Sequence, residues 1–166
     1  MSALVPELFN NWLERYPPTK SDPKATARAF LRSRGLDPSR FEFEQGVWKE
    51  SGRVITTVAF KMSETKRRWH RLIDIPSCVK GKSRWDEGVG DAYRGKVWLT
   101  GKIKETEELW IVEGIFEALS LQQGLGVQAA ATFSASHIPT NFYEKLNRSQ
   151  PVTIALNSDN AGQVGT

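Results

Sequence analysis

The 166-residue chain is long enough for one domain of ordinary size or for two small subdomains sharing a core. Hydrophobic residues make up 39% of it, six Trp and eight Phe supply bulky core material, and no run approaches the roughly 20 apolar residues of a membrane span. One cysteine, Cys78, excludes a disulfide framework and a CxxC zinc ribbon. With no secretory pattern at the N-terminus, these features predict a cytoplasmic protein without membrane association. The net charge of +4 is unevenly distributed. Residues 1–108 carry 21 Lys and Arg against 15 Asp and Glu, whereas residues 109–166 carry two against four. Eight of the basic residues fall within 60–84, against two acids, and such clustering attracts polyphosphate or forms a solvated face.

In chain order, PELFNNWLERY (6–16) places Leu8, Phe9, Trp12 and Tyr16 at helical spacing after a first-turn proline. A breaker-rich link, PPTKSDP, precedes KATARAFLRSR (24–34), which predicts a second helix stopped by Gly35, with Ala25, Ala29, Phe30 and Leu31 as its apolar side. FEFEQGVW alternates Phe41 and Phe43 with Glu42 and Glu44 and predicts a strand; GRVITTVAFKM predicts another. Residues 77–96 read as a loop-rich crossing, GKVWLTGKI as a short strand and KETEE as a polar connection. From residue 109 the texture becomes α/β. LWIVEG is a strand, IFEALSLQQGL a helix ended by Gly124 or Gly126, and VQAAATFS a strand. SHIPTNFYEKLNR holds a helix capped by Thr140 or Asn141, and PVTIALNSDNAG is a third strand. That order predicts a parallel sheet covered on both faces, preceded by a mixed α+β basic subdomain over 1–108.

Two acids occupy comparable places in this α/β part. Glu113 closes the strand LWIVEG, and Asp159 follows VTIALNS. Ligands of open parallel sheets gather beyond the carboxyl ends of the strands, where paired carboxylates suit Mg²⁺ with substrate phosphates. Helix-capping carboxylates would give the same pattern. Gly114 leaves room for a tight turn directly after the first acid.

WIVEGIFEALSLQQ, followed about 45 residues later by TIALNSDNAG, resembles the two motifs of the TOPRIM family. Upstream, ARAFLRSRGLDPSRFEF is similar to the segment that opens the catalytic core of DnaG-type primases and their plasmid or phage relatives. The resemblance implies a TOPRIM-like parallel sheet over 109–166. The activity it implies is template-directed synthesis of RNA primers on single-stranded DNA from nucleoside triphosphates, with a replicative helicase as partner. Glu113 and Asp159 would be catalytic and, with Asn157, would hold Mg²⁺ or Mn²⁺. Lys66, Arg67, Arg68, Arg71, Lys80, Lys82 and Arg84 would line the nucleic-acid path, with Trp69 as a stacking platform.

Two departures qualify that implication. Asn157 stands where the family places the first Asp of Asp-x-Asp, so it offers a neutral oxygen instead of a charge. The chain also stops at Thr166, where a TOPRIM domain adds a further helix and strand. A TOPRIM nuclease using the same acids, and a catalytically impaired nucleic-acid-binding fragment, remain open beside the primase reading. His70 and His137 read as ordinary polar residues, Cys78 as a small structural one, and Trp48, Trp85, Trp98 and Trp110 as core aromatics.

Overall fold

A computed structural model of the chain describes residues 12–62, 67–75, 79–86, 95–135 and 139–157. Leu8, Phe9, Lys66, Cys78, His137 and Asp159 lie outside the described residues. The architecture is mixed α/β with two compact units, each built on a four-stranded sheet. The first comprises Met1–Lys61 with Arg68–Asp86, and the second Met62–Arg67 with Glu87–Thr166.

In the first unit, β1 (Glu44–Glu50), β2 (Arg53–Lys61), β3 (Arg68–Leu72) and β4 (Ser83–Trp85) form an antiparallel meander in chain order. Ser51 and Gly52 join β1 to β2 with φ of 53° and 70°. Two consecutive positive φ values give the backbone twist that two-residue hairpins prefer. The expected strand at Phe41 starts instead at Glu44, the first residue with a partner on β2. Phe41 and Phe43 turn their rings onto each other, and Phe41 also packs on Phe60. The predicted loop at 77–96 contains β4, because Arg84 and Trp85 pair with His70 and Trp69.

Helices α1 (Trp12–Arg15) and α2 (Ala25–Ser33) belong to this unit, and α2 packs on β1 and β2. Its first turn has no side-chain cap; Gln45 Oε1 accepts the Ala27 N–H at 2.8 Å instead, satisfying one of the orphan donors of a helix start. The helix ends as predicted before Gly35, which takes φ of 76°. Its buried side differs from the expected one: Thr26, Ala27 and Leu31 point inward, while Ala25 and Ala29 are only half-buried.

The second unit orders its strands β5-β7-β6-β8: β5 (Trp98–Leu99), β7 (Gln128–Ala131), β6 (Leu109–Val112) and β8 (Val152–Ile154). β6 runs parallel to both β7 and β8, and β5 joins the edge antiparallel. Leu109, Ile111 and Ala130 form a core on one face under Leu99, Ile103, Phe142, Tyr143 and Leu146. Helix α3 (Ile115–Leu125) packs on β6 and β7 and buries Ile115, Phe116, Ala118 and Leu119. It ends at Gly126 in the left-handed region, φ 72°, which settles the choice between the two glycines. Helix α4 (Thr140–Tyr143) is shorter than expected, and neither Thr140 nor Asn141 caps it; its N-cap position is Pro139. Among the described residues no helix is long and apolar enough to cross a membrane.

Candidate metal centre and basic sheet

Three parallel strands bring their carboxyl ends to one edge of the second unit. The chain leaves central β6 to build β7 on one side and then returns to build β8 on the other. That reversal makes β6 the switch point, where parallel sheets open a crevice. Glu113 is the residue immediately after β6, and it is half-buried there.

The neighbouring strand ends are stitched to it from both sides. From β7, the Thr132 N–H donates to the Val112 carbonyl at 3.0 Å and the Phe133 N–H to the Glu113 carbonyl at 2.7 Å. From β8, the Ala155 N–H donates to the Ile111 carbonyl at 2.8 Å, and the Asn157 N–H donates to Glu113 Oε1 at 3.0 Å. The Glu113 carboxylate is therefore held by the backbone of residue 157, the position singled out in the second motif. Phe133 sits at φ 65°, a strained conformation for a bulky residue. Strain of this kind collects at functional sites, and here it accompanies the bond to Glu113.

A second carboxylate that the sequence reading did not single out follows four residues after the first. Gly114 is the N-cap of α3, and Glu117 follows one turn later, where its carboxylate folds back over Gly114. A Cβ at residue 114 would displace that carboxylate, the mobile end of an exposed side chain. The helix dipole also favours an anion at this end of α3. The signal was present as a Glu four residues after Glu113, but IFEALSLQQGL was read only as a helix and the residue was not singled out. Among the described residues no three His, Cys, Asp or Glu side chains converge as a metal cluster. The oxygens of Glu113, Glu117 and Asn157 are hard donors of the type that suits Mg²⁺ or Mn²⁺.

Among the described residues of the basic stretch, Arg68 and Arg71 lie on β3 and Arg84 on β4, and pairing sorts their roles. Arg84 is buried, and its guanidinium donates to Glu50 Oε2 at 2.6 Å, to Glu50 Oε1 at 2.8 Å, and to the carbonyls of Ser83 and Lys80. The Arg84 hydrogen bond holds the Glu50 carboxyl below its usual range, and Glu50 in turn raises the Arg84 guanidinium. Trp69, expected as a stacking platform, is only 9% exposed and packs on Phe60. Arg68 pairs with Glu44 at 2.7 Å and approaches Asp86 at 3.6 Å. His70 is buried, with Nε2 2.7 Å from Asp86 Oδ1 and Nδ1 3.3 Å from the Thr57 hydroxyl. Burial acts to raise the Asp86 carboxyl, but the His70 bond, the Arg68 N–H and the charges of both outweigh it and hold the group below its usual value. Thr57 is fully buried, so this Asp-His-Thr row is a structural chain with no reachable nucleophile. Arg71 is half-buried, whereas Arg67, Lys80 and Lys82 are exposed.

The structure thus joins Glu113 to residue 157 and gives Arg84 and Trp69 interior roles. Comparison with protein-family models, with curated proteins and with solved structures finds no match for this chain.

Proposed function

We propose that the chain is a primase-like nucleotidyltransferase core of TOPRIM type, which builds RNA primers on single-stranded DNA from nucleoside triphosphates with Mg²⁺ or Mn²⁺. The observation that carries this reading is the 3.0 Å bond from the Asn157 N–H to Glu113 Oε1, which ties the two motif positions together at a switch point. Glu113 and Asp159 would hold the ion, with the neutral Asn157 oxygen as a weaker donor. Once bound, the ion supplies charge stabilisation for the nucleotide phosphates and orients an attacking 3′-hydroxyl. Glu113 is half-buried and fixed by a backbone donor, so its negative oxygens stay in place without reorganisation. Exposed Arg67, Lys80 and Lys82 supply phosphate contacts, together with Lys66 in the same stretch. A replicative helicase is the partner that this role calls for.

The test is primer synthesis on single-stranded template with labelled ribonucleotides and Mg²⁺ or Mn²⁺. Glu113→Gln is expected to lower product formation by about 10²-fold or more while leaving the fold intact. Full activity in Glu113→Gln would remove the basis of the reading. Cleavage of a labelled strand without added nucleotides would reassign the same acids to a nuclease. Salt-sensitive binding without either activity would leave a nucleic-acid-binding fragment.

A further inference from the structure

In the first unit an open cleft lies between α1 and α2. It has a volume of about 410 Å³, with Trp12 and Tyr16 of one helix region and Asp22, Arg28 and Arg32 of the other among its lining residues. Its volume falls within the range of roughly 300–1,000 Å³ common to small-ligand pockets. The aromatic wall is ordered by its supports. The Trp12 and Tyr16 rings stack at 5.9 Å and 21°, and Phe30 meets Trp12 edge-on at 6.2 Å. The Trp12 N–H donates to Asp74 Oδ2 at 2.9 Å, and the buried Thr26 hydroxyl donates to the Tyr16 carbonyl at 2.7 Å, tying α1 to β3's outgoing turn and to α2. Tyr16 nonetheless remains 46% exposed.

The other wall is cationic. Arg28 bonds Asp22 through Nε at 3.1 Å and Nη2 at 3.3 Å, which fixes the plane of its guanidinium. Arg32, one turn further along α2, is exposed, and its charge is felt at both Asp22 and Asp37. Ala25 and Ala29 form the gap between the walls, since their single methyls leave the space open. Ala25 and Ala29, which the sequence placed on the apolar side of α2, line this cleft, while Leu31 of that side is buried in the core.

An aromatic face and two guanidiniums line the same cleft, with one carboxylate engaged in fixing the first guanidinium, and together they match a ligand that is planar at one end and anionic at the other. We propose that the α1–α2 cleft binds a nucleoside phosphate, with its base stacked on Tyr16 and its phosphate against Arg28 and Arg32. Stacking of this kind tolerates any base, so the site accepts single strands without sequence preference. The same chemistry can come from a free nucleotide or from one unit of a strand.

The test is fluorescence anisotropy with labelled dT16 in EDTA, so that no metal-dependent step at Glu113 enters the readout. Tyr16→Ala is expected to weaken binding by about tenfold or more, and Tyr16→Phe to retain it. Arg32→Ala should lower the slope of log affinity against log salt by about 0.7, the share of one single-strand phosphate contact. Displacement of dT16 by millimolar dTMP assigns the site to a free nucleotide, and resistance to dTMP assigns it to the strand. Unchanged affinity in Tyr16→Ala together with an unchanged slope in Arg32→Ala overturns the proposal. So does equal displacement of dT16 by polyglutamate, which carries charge and no base. Far-UV circular dichroism of each variant separates loss of the site from loss of the fold. Binding of dT16 in EDTA and primer synthesis with Mg²⁺ or Mn²⁺ are separate measurements, so failure of the proposed catalytic reading and failure of this one give different results.

Discussion

Ile111 and Ile154 are register partners on adjacent parallel strands, so they stand side by side in one row of the sheet. They differ in burial: Ile111 is 1% exposed and Ile154 is 47% exposed. Truncating each to alanine removes the same three carbons, worth roughly 0.8 kcal/mol apiece when fully buried, or about 2.4 kcal/mol in transfer alone. At Ile111 the neighbours are Leu109 and Ala130, and Ala130 is too small to close the gap, so a cavity adds to the loss. The expected cost of Ile111→Ala is about 3–4 kcal/mol, within the range seen for such substitutions. Ile154→Ala loses about half the transfer and leaves no enclosed cavity, so about 1 kcal/mol is expected. The assay is hydrogen exchange read by mass spectrometry on peptides spanning 109–131, which reports the opening free energy of this unit separately from the other. Equal costs at the two positions, or a larger cost at Ile154, would refute β6 as the central strand and with it the placement of Glu113 at the switch point.

Other expectations follow from local geometry. Gly126→Ala places a Cβ at φ 72° and should destabilise the end of α3 by about 1 kcal/mol, read as faster exchange in peptides covering 115–126. Arg84→Met keeps the packed stem but removes four hydrogen bonds, two of them to the carbonyls of Ser83 and Lys80. It should lower the urea midpoint, whereas Lys82→Met on the exposed side should not. Asp86 titrates below its ordinary value of 3.8 in the folded state, so its stabilising contribution is complete above that value and is lost as pH falls through the lower folded value. Asp86→Asn should therefore reduce the urea midpoint at pH 6, with the gap from the parent narrowing below about pH 4.

Local chemistry was legible wherever one residue type admits one conformation. Gly35 ends α2 and Gly126 ends α3 because both occupy the left-handed region, which glycine enters without a steric penalty. The apolar runs LWIV and QAAA became adjacent parallel strands because each is buried on both faces, and only a covered parallel sheet hides such runs. Glu113 at a strand end before glycine was readable for the same reason. Charge was the poorer guide. Arg84 and Lys82 lie two residues apart in one basic stretch, yet the first faces Glu50 in the interior and the second faces water. Composition treats them alike, and only the pairing of β4 with β3, which turns Arg84 toward Glu50, separates them.

The sequence by itself therefore determined the order of helices and strands in the second unit, their glycine stops, and the acid that closes β6. These depend on φ preferences and on burial period, which act over a few residues. Tertiary structure alone decided that β6 lies between β7 and β8, that the Asn157 backbone reaches Glu113 across 44 residues, and that Glu117 folds over Gly114. It likewise decided which side of α2 is interior and which lines the cleft with Trp12 and Tyr16. Such contacts are set by which faces meet when the sheets assemble, and no local pattern of residues specifies that meeting.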